Sequence, residues 1–179
     1  VRSLLLPGHG TRPGDLLEVT VDEWLKATQY AIESFESQVS DLTVIGMSTG
    51  AALTIHATQL GAKVNRLILF VPVLRPISKL AKYVHLHRYL GAIMPRLQWW
   101  LVHEEDDFAK YLSIPFNAVH QVYELGERIR KANDDHIKTI PKLYLLSADD
   151  EMVSNAAAMH YYREHRHSHC QLLLYSNDV

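Results

Sequence analysis

Cysteine is almost absent: Cys170 is the one thiol in 179 residues. A single cysteine excludes an intrachain disulfide framework and fits a reducing compartment, so a cytoplasmic location is expected. No apolar run reaches the roughly 20 residues that a membrane-spanning helix needs, and the opening residues do not read as a signal peptide. An excess of one charge is lacking too, since 18 Lys and Arg stand against 20 Asp and Glu, a net charge of −2. That leaves no electrostatic reason to expect nucleic acid or an anionic membrane as a partner. His160, His165, His167 and His169 crowd together, but no carboxylate stands at ligand spacing, so they read as a solvated helix end and no metal is expected. What is present is 47% hydrophobic and 21% charged, a globular composition at a length that suits one domain with a sizeable core. Internal repeats, low-complexity tracts and flexible linkers are absent.

The chain is organised around Leu42-Thr-Val-Ile-Gly46-Met47-Ser48-Thr49-Gly50-Ala51-Ala52-Leu53. An apolar, β-branched run stops at a glycine, a serine sits between two small flanks, and an Ala-rich helical pattern begins at once. Gly-x-Ser-x-Gly in a strand–turn–helix setting is a nucleophile elbow. The tight turn forces the serine into a strained backbone, and glycine is expected at both flanks to avoid clashes with the adjoining strand and helix. The strain lifts the Ser48 hydroxyl above the sheet edge, and the following helix points its positive end at the chemistry.

Around this centre the chain alternates apolar runs with helical patterns. Ser3–Leu6 reads as a buried strand entering a loop, Pro7 to Leu16. Thr20-Val-Asp-Glu23 is a capping box that starts a helix at Val21, with Trp24, Leu25, Ala31, Ile32 and Phe35 on its apolar face. The helix after the elbow is closed by Gly61, and His56 within it reads as packed. Arg66–Val71 is a strand stopped by Pro72. Residues 73 to about 117 carry aromatics among basic residues and no clean strand. They read as a cap whose Tyr83, Leu86, Trp99, Trp100 and Leu101 offer an apolar wall to a substrate. A helix from about 116 to 130 should turn Val119, Val122, Tyr123 and Ile129 inward. Lys142–Leu146 is a strand that runs into the acidic loop Ser147–Val153, Ser154 caps a helix reaching about His165, and Gln171–Tyr175 is the last strand. Continuous apolar strands separated by helices are the mark of a parallel sheet with helical cover.

These residues resemble the α/β-hydrolase family, and within it the carboxylesterase and monoacylglycerol-lipase-like branch. The likeness is carried by Leu6–Leu16, by Asp22-Glu23-Trp24, by the elbow Gly46–Gly50, and by Pro141–Val153. The resemblance implies one α/β-hydrolase core over 1–179, a mostly parallel doubly wound sheet with a cap inserted at about 73–117. It also implies a serine hydrolase of carboxylic esters, working through an acyl-enzyme on a small-molecule substrate with an apolar acyl group, and needing no cofactor. Ser48 would be the nucleophile and Asp150 the triad acid, with Asp149 as its rival, and the Thr49 backbone N–H would donate into the oxyanion hole. His9 is expected to be structural. The family's catalytic histidine should follow the last strand, where Ser176-Asn177-Asp178-Val179 holds none. The expectation is that it lies beyond Val179, with a second oxyanion donor and the early strands before Val1 and a final helix after the last strand. A chain without the base would instead be a binding protein on the same scaffold, and thioester or peptide chemistry is open to that scaffold too. Laid down in one direction with right-handed crossovers, the strands here put every helix on one face. The other face then needs flanking sequence or a second copy of the chain to cover it, and residues 1–179 alone are expected to aggregate or bind hydrophobic dyes.

Overall fold

The computed structural model describes residues 1–75, 94–107, 110–149 and 154–176. Four strands form one parallel sheet: β1 (Thr43–Met47), β2 (Arg66–Phe70), β5 (Lys142–Ser147) and β6 (Cys170–Tyr175), in the order β1-β2-β5-β6. Ile45 stands opposite Ile68, Phe70 opposite Leu145, and Ser147 opposite Tyr175, so the carboxyl ends of all four strands share one edge. A two-stranded antiparallel ribbon lies apart from this sheet, β3 (Trp99–Leu101) against β4 (Ile114–Pro115). The helices are α1 (Val21–Glu36), α2 (Thr49–Gln59), α3 (Phe116–Lys131), the single turn α4 (Asp135–Lys138) and α5 (Asn155–Glu164).

Local chemistry sets the helix ends. The Thr20 hydroxyl accepts from the Glu23 N–H at 3.2 Å, while Glu23 Oε2 accepts from the Thr20 N–H at 2.8 Å, completing the capping box. At the end of α2 the Ala62 N–H reaches the Ala57 carbonyl and the Gly61 N–H reaches that of Thr58, both at 3.0 Å. This is a Schellman closure, and Gly61 takes the left-handed φ of 96° that it requires. Ser154 caps α5 by accepting from the Ala157 N–H.

The strand order never reverses, and the sheet is covered accordingly. On one face Leu67, Leu69, Tyr144 and Leu146 are buried beneath α2 and its neighbours, with Trp24, Leu53, Ile55 and Leu125 in the same core. The opposite face carries Ile45, Met47, Ile68, Phe70, Leu143, Leu145, Leu173 and Tyr175. Among the described residues no helix lies over it, and Met47 is 72% exposed. The one-sided cover expected from a one-directional strand order is present, so the sheet is singly wound over the described residues.

Four expectations need correction. Ser3–Leu6 forms no strand, and Leu5 is 68% exposed. An extended run becomes a strand only when a neighbour takes its N–H and carbonyl groups, and no described strand lies beside it. The buried stripe of α3 is Asn117, Ala118, Gln121, Leu125 and Ile129, while Val119, Val122 and Tyr123 are half-buried. Apolarity misled here because two of the buried positions are amides with partners inside. Asn117 Nδ2 donates to the carbonyls of Leu16 and Val19, and Gln121 Oε1 accepts from Val21 N–H, one of the donors that the start of α1 leaves free. Third, the segment from 73 to 117 does hold a strand pair, the β3–β4 ribbon. Fourth, Gly46 is required but Gly50 is not. A Cβ on Gly46 would meet Ala51 Cα at 2.6 Å, whereas none of the described atoms lies within 4 Å of one on Gly50.

Candidate active site

Ser48 sits at the carboxyl end of β1 with φ 50° and ψ −116°. Ser48 and Val71 are the two non-glycine residues with positive φ among those described. A left-handed backbone at a non-glycine residue costs about 1–3 kcal/mol and persists only where the surroundings impose it. Here β1 must turn into α2 within one residue. The Ser48 N–H donates to the Phe70 carbonyl (2.8 Å), and its own carbonyl accepts from Ala52 and Val73. The backbone is thus fully engaged, while the half-buried hydroxyl bonds to none of the described residues. Thr49 opens α2, so its N–H has no acceptor within the helix. A negative charge developing beside Ser48 would meet that donor and the positive end of α2.

The register brings other chemistry to the same edge. Asp149 follows the end of β5 by two residues and is exposed. Ser176 follows β6 directly. The carboxyl edge of a parallel sheet is where an open α/β fold places its ligands. Asp150, Tyr83, Leu86 and Asp178 lie outside the described residues.

A cavity of about 640 Å3 opens between the early loop and the ribbon, lined by Pro13, Gly14, Pro95, Arg96, Trp99, Val102 and Ser113. Sequence reasoning placed Trp99, Trp100 and Leu101 in one wall. The structure separates them: Trp99 lines the cavity, Trp100 packs edge-on against Phe116 at 5.5 Å, and Leu101, past a register irregularity in the ribbon, is exposed and not part of the lining. Pro13, Arg96 and Ser113 were missed, because the cavity joins segments a hundred residues apart and no local pattern marks such a wall. The joint is polar: the Tyr111 hydroxyl accepts from the Thr11 N–H at 2.7 Å. His9 is held between rings, 6.0 Å from Trp24 and 6.1 Å from Tyr111, with Nδ1 3.2 Å from the Pro7 carbonyl. That is a structural setting.

The remaining histidines disperse. His160 faces Glu164, His167 faces the Ile140 carbonyl, and His165 is buried with Nε2 2.7 Å from Asp134 Oδ2 and Nδ1 2.7 Å from the Tyr161 carbonyl. No local sequence pattern marks this His–Asp pair. It lies at the far end of the fold, since Asp134 Oδ1 also accepts from Gln59 at 2.5 Å, in the last turn of α2. The 11 residues of that helix put Gln59 about 16 Å from the Ser48 end. Burial opposes ionisation of Asp134, but hydrogen bonds from Gln59 and His165 outweigh it and hold the carboxyl below its ordinary value. Burial likewise pushes the His56 imidazole down, against a contact with Gln59, and pushes the Lys142 ammonium down. No group of three or more metal-ligating side chains occurs among the described residues, and none of the described helices is long and apolar enough to cross a membrane.

A parallel sheet with a strained serine at its carboxyl edge is the arrangement of an α/β-hydrolase fold. Three solved structures share it. One, from a description of the metagenome-derived lipolytic enzymes LipS and LipT, matches at 19% identity and TM-score 0.73, over 97% of this chain and 74% of that one. A monoacylglycerol lipase from Paleococcus ferrophilus matches at 21% and 0.70, over 96% and 71%. A soluble variant of monoglyceride lipase from Saccharomyces cerevisiae matches at 12% and 0.70, over 96% and 66%. A comparison with curated proteins finds no match to this sequence. The model of the hydrolase family described as serine aminopeptidase, S33 matches residues 6–178, and the chain belongs to that family.

Proposed function

We propose that this chain is a serine hydrolase of carboxylic esters, with Ser48 attacking the carbonyl to form an acyl-enzyme. The observation that carries the reading is the left-handed backbone of Ser48 at the carboxyl edge of the sheet, with its hydroxyl bonded to no described residue. In the mechanism a histidine takes the Ser48 proton as the carbon–oxygen bond forms, then delivers it to the departing alcohol. Water reverses the sequence and releases the acid. Asp150 orients that imidazole, and the Thr49 N–H holds the oxyanion, a contact worth about 2.7–4 kcal/mol of barrier. The imidazole is not assigned to any described histidine, and the His165–Asp134 pair is too far from Ser48 to supply it.

The family description raises peptide chemistry as a second reading. Taken as the acyl site, the cavity supports esters. Its described lining is apolar apart from Ser113 and Arg96, and Arg96 would repel the free ammonium that an aminopeptidase must hold. The fold is shared with enzymes described as lipolytic and as a monoacylglycerol lipase.

Intact-mass analysis after treatment with a fluorophosphonate tests the nucleophile. One adduct on Ser48 is expected, and an adduct on any other residue overturns the assignment. For the substrate, each added acyl methylene should raise kcat/KM of an aryl ester about three- to fourfold until the cavity fills. Trp99→Ala should flatten that profile, whereas Trp100→Ala, altering a side chain turned towards Phe116, should not. Faster turnover of aminoacyl anilides than of esters would favour the peptidase reading.

A further inference from the structure

The segment that follows β2 makes more backbone contacts with its surroundings than a connection needs. The Phe70 carbonyl accepts from the Ser48 N–H at 2.8 Å, and three residues later the Val73 N–H donates to the Ser48 carbonyl at 3.3 Å. Both main-chain groups of the proposed nucleophile are therefore held by one short stretch. Between those contacts stands Val71, with φ 42° and its N–H bonded to the Leu145 carbonyl at 2.8 Å. A β-branched residue in that region is an outlier that the surroundings must impose. The turn at Val71 is what brings the chain back beneath Ser48. Beyond it the Leu74 carbonyl lies against α3, where a Cβ on Gly126 would stand 2.4 Å from the oxygen. The Arg75 carbonyl then accepts from the Ser154 N–H at 3.3 Å, at the exit of the acidic loop that carries Asp149 and Asp150.

We propose that residues 70–75 are a strap that positions the nucleophile and ties it to the exit of the acidic loop, with Val71 and Gly126 as positioning residues. The inference rests on the reading of Ser48 as the nucleophile. Val71 supplies the turn, and Gly126 supplies the space in which the far half of the strap lies flat. Neither side chain reaches the reacting atoms, and both act through the Ser48 main chain. The strap joins β1, β2, α3 and the start of α5 through backbone groups alone, so it holds whatever side chains the cap presents. A displaced strap lets Ser48 relax towards an ordinary helix start, which lowers the hydroxyl from the edge.

The test uses the second-order rate of fluorophosphonate labelling at Ser48, well below the melting temperature, together with kcat and KM for an aryl ester. Gly126→Ala is expected to slow labelling and kcat by about tenfold or more while KM changes less than twofold. Val71→Gly, which accepts a positive φ without strain, should label within about twofold of the parent. Val71→Pro, whose φ is fixed near −65° and which loses the bond to Leu145, should slow labelling as Gly126→Ala does. The double variant Gly126→Ala/Val71→Pro should be no slower than the worse single one, because both release the same strap. Lower melting temperatures with an unchanged labelling rate would make both positions merely structural and overturn the proposal. If the variants fail to fold, hydrogen exchange on the parent protein decides. The Ser48 and Val73 amides should exchange with protection factors within threefold of each other, and a Val73 amide freer by more than tenfold overturns the strap. A parent protein that is not labelled at Ser48 overturns the nucleophile and the strap together, whereas normal labelling unaffected by Gly126→Ala overturns the strap alone.

Discussion

The two ends of α2 use the same kinds of residue for opposite purposes. At its start Ser48 has an engaged backbone, a strained φ and a hydroxyl with no partner among the described residues. At its finish Gln59, Asp134, Tyr161 and His165 form a closed set: Gln59 and His165 bind the carboxylate, and the Tyr161 ring stacks on the imidazole at 3.8 Å. Lys142, buried close by, gives its ammonium to the Ile137 and Ile140 carbonyls. A His–Asp pair, taken out of context, looks catalytic. Here both ring nitrogens stand 2.7 Å from oxygens of the fold itself, Asp134 Oδ2 and the Tyr161 carbonyl, although Nε2 meets Asp134 without hydrogen-bond alignment, and the pair holds α2, α5 and the turn before α4 together. One end offers a strained residue whose hydroxyl is unpaired among the described residues, and the other a buried cluster that ties three segments together.

Edits at the two ends should therefore separate rate from stability. Ser48→Ala has the largest expected effect, a loss on the order of 10^6 in kcat with an unchanged or higher melting temperature. Ser48→Gly should go further and stabilise by about 1 kcal/mol, because glycine occupies φ 50° without strain. A fall in melting temperature for either variant would show that the hydroxyl has a structural partner and would break the comparison. Next comes the acid: Asp150→Asn should cost about 10^4 in kcat by favouring the wrong imidazole tautomer. If Asp149→Asn causes that loss instead, Asp149 is the orienting residue. At the other end, Asp134→Ala leaves the buried His165 without its carboxylate partner and should destabilise by about 3–5 kcal/mol in chemical denaturation. The fluorophosphonate labelling rate of the fraction still folded should not change, and a matching loss of rate would mean that the two ends are coupled through α2.

The smallest effect is in pH. Burial depresses the folded-state value of His56, so its contribution to stability is present above the unfolded value of about 6.5 and is lost as pH falls through the folded value. Asp134 follows at lower pH: its stabilisation is present above the unfolded carboxylate value of about 3.9 and is lost as pH falls through its depressed folded value. A melting temperature that drops first just below pH 6.5 and again below pH 4 is expected, and His56→Gln should remove the first step alone.

Much of the fold is legible in the sequence where one local rule decides the outcome. Thr20 with Glu23, Gly61 and Ser154 each mark a helix end through groups a few residues apart, and all three ends are found where those residues stand. The four sheet strands are apolar runs ended by turn or loop residues, and strands are found where those runs stand. Ser3–Leu6 is just as apolar, yet a strand is a property of two segments, and its neighbour is not a local matter. Gly126 was readable in principle, since a glycine inside a strong helical pattern signals close backbone approach, here by Leu74. Val71 was not, because valine is the last residue that its backbone angle would suggest. The candidate site divides along the same line: Ser48 and Gly46 follow from one five-residue turn, whereas the cavity wall and the Asp134–His165 pair depend on contacts between distant segments.

The buried amides of α3 carry a consequence for biosynthesis. The Val21 N–H waits for Gln121, 100 residues later, and the Val19 carbonyl waits for Asn117, 98 residues later. At about 5–20 residues per second, a ribosome needs about 5–20 seconds to make that stretch. Throughout that interval the opening loop and the first turn of α1 are outside or leaving the exit tunnel with their inward-facing polar groups served only by water. Helix α2 is complete well before then, so the nascent chain holds Ser48 before the ribbon that lines the cavity exists. Asn117 and Gln121 act as a late clasp that joins the front of the molecule to a segment synthesised long after it.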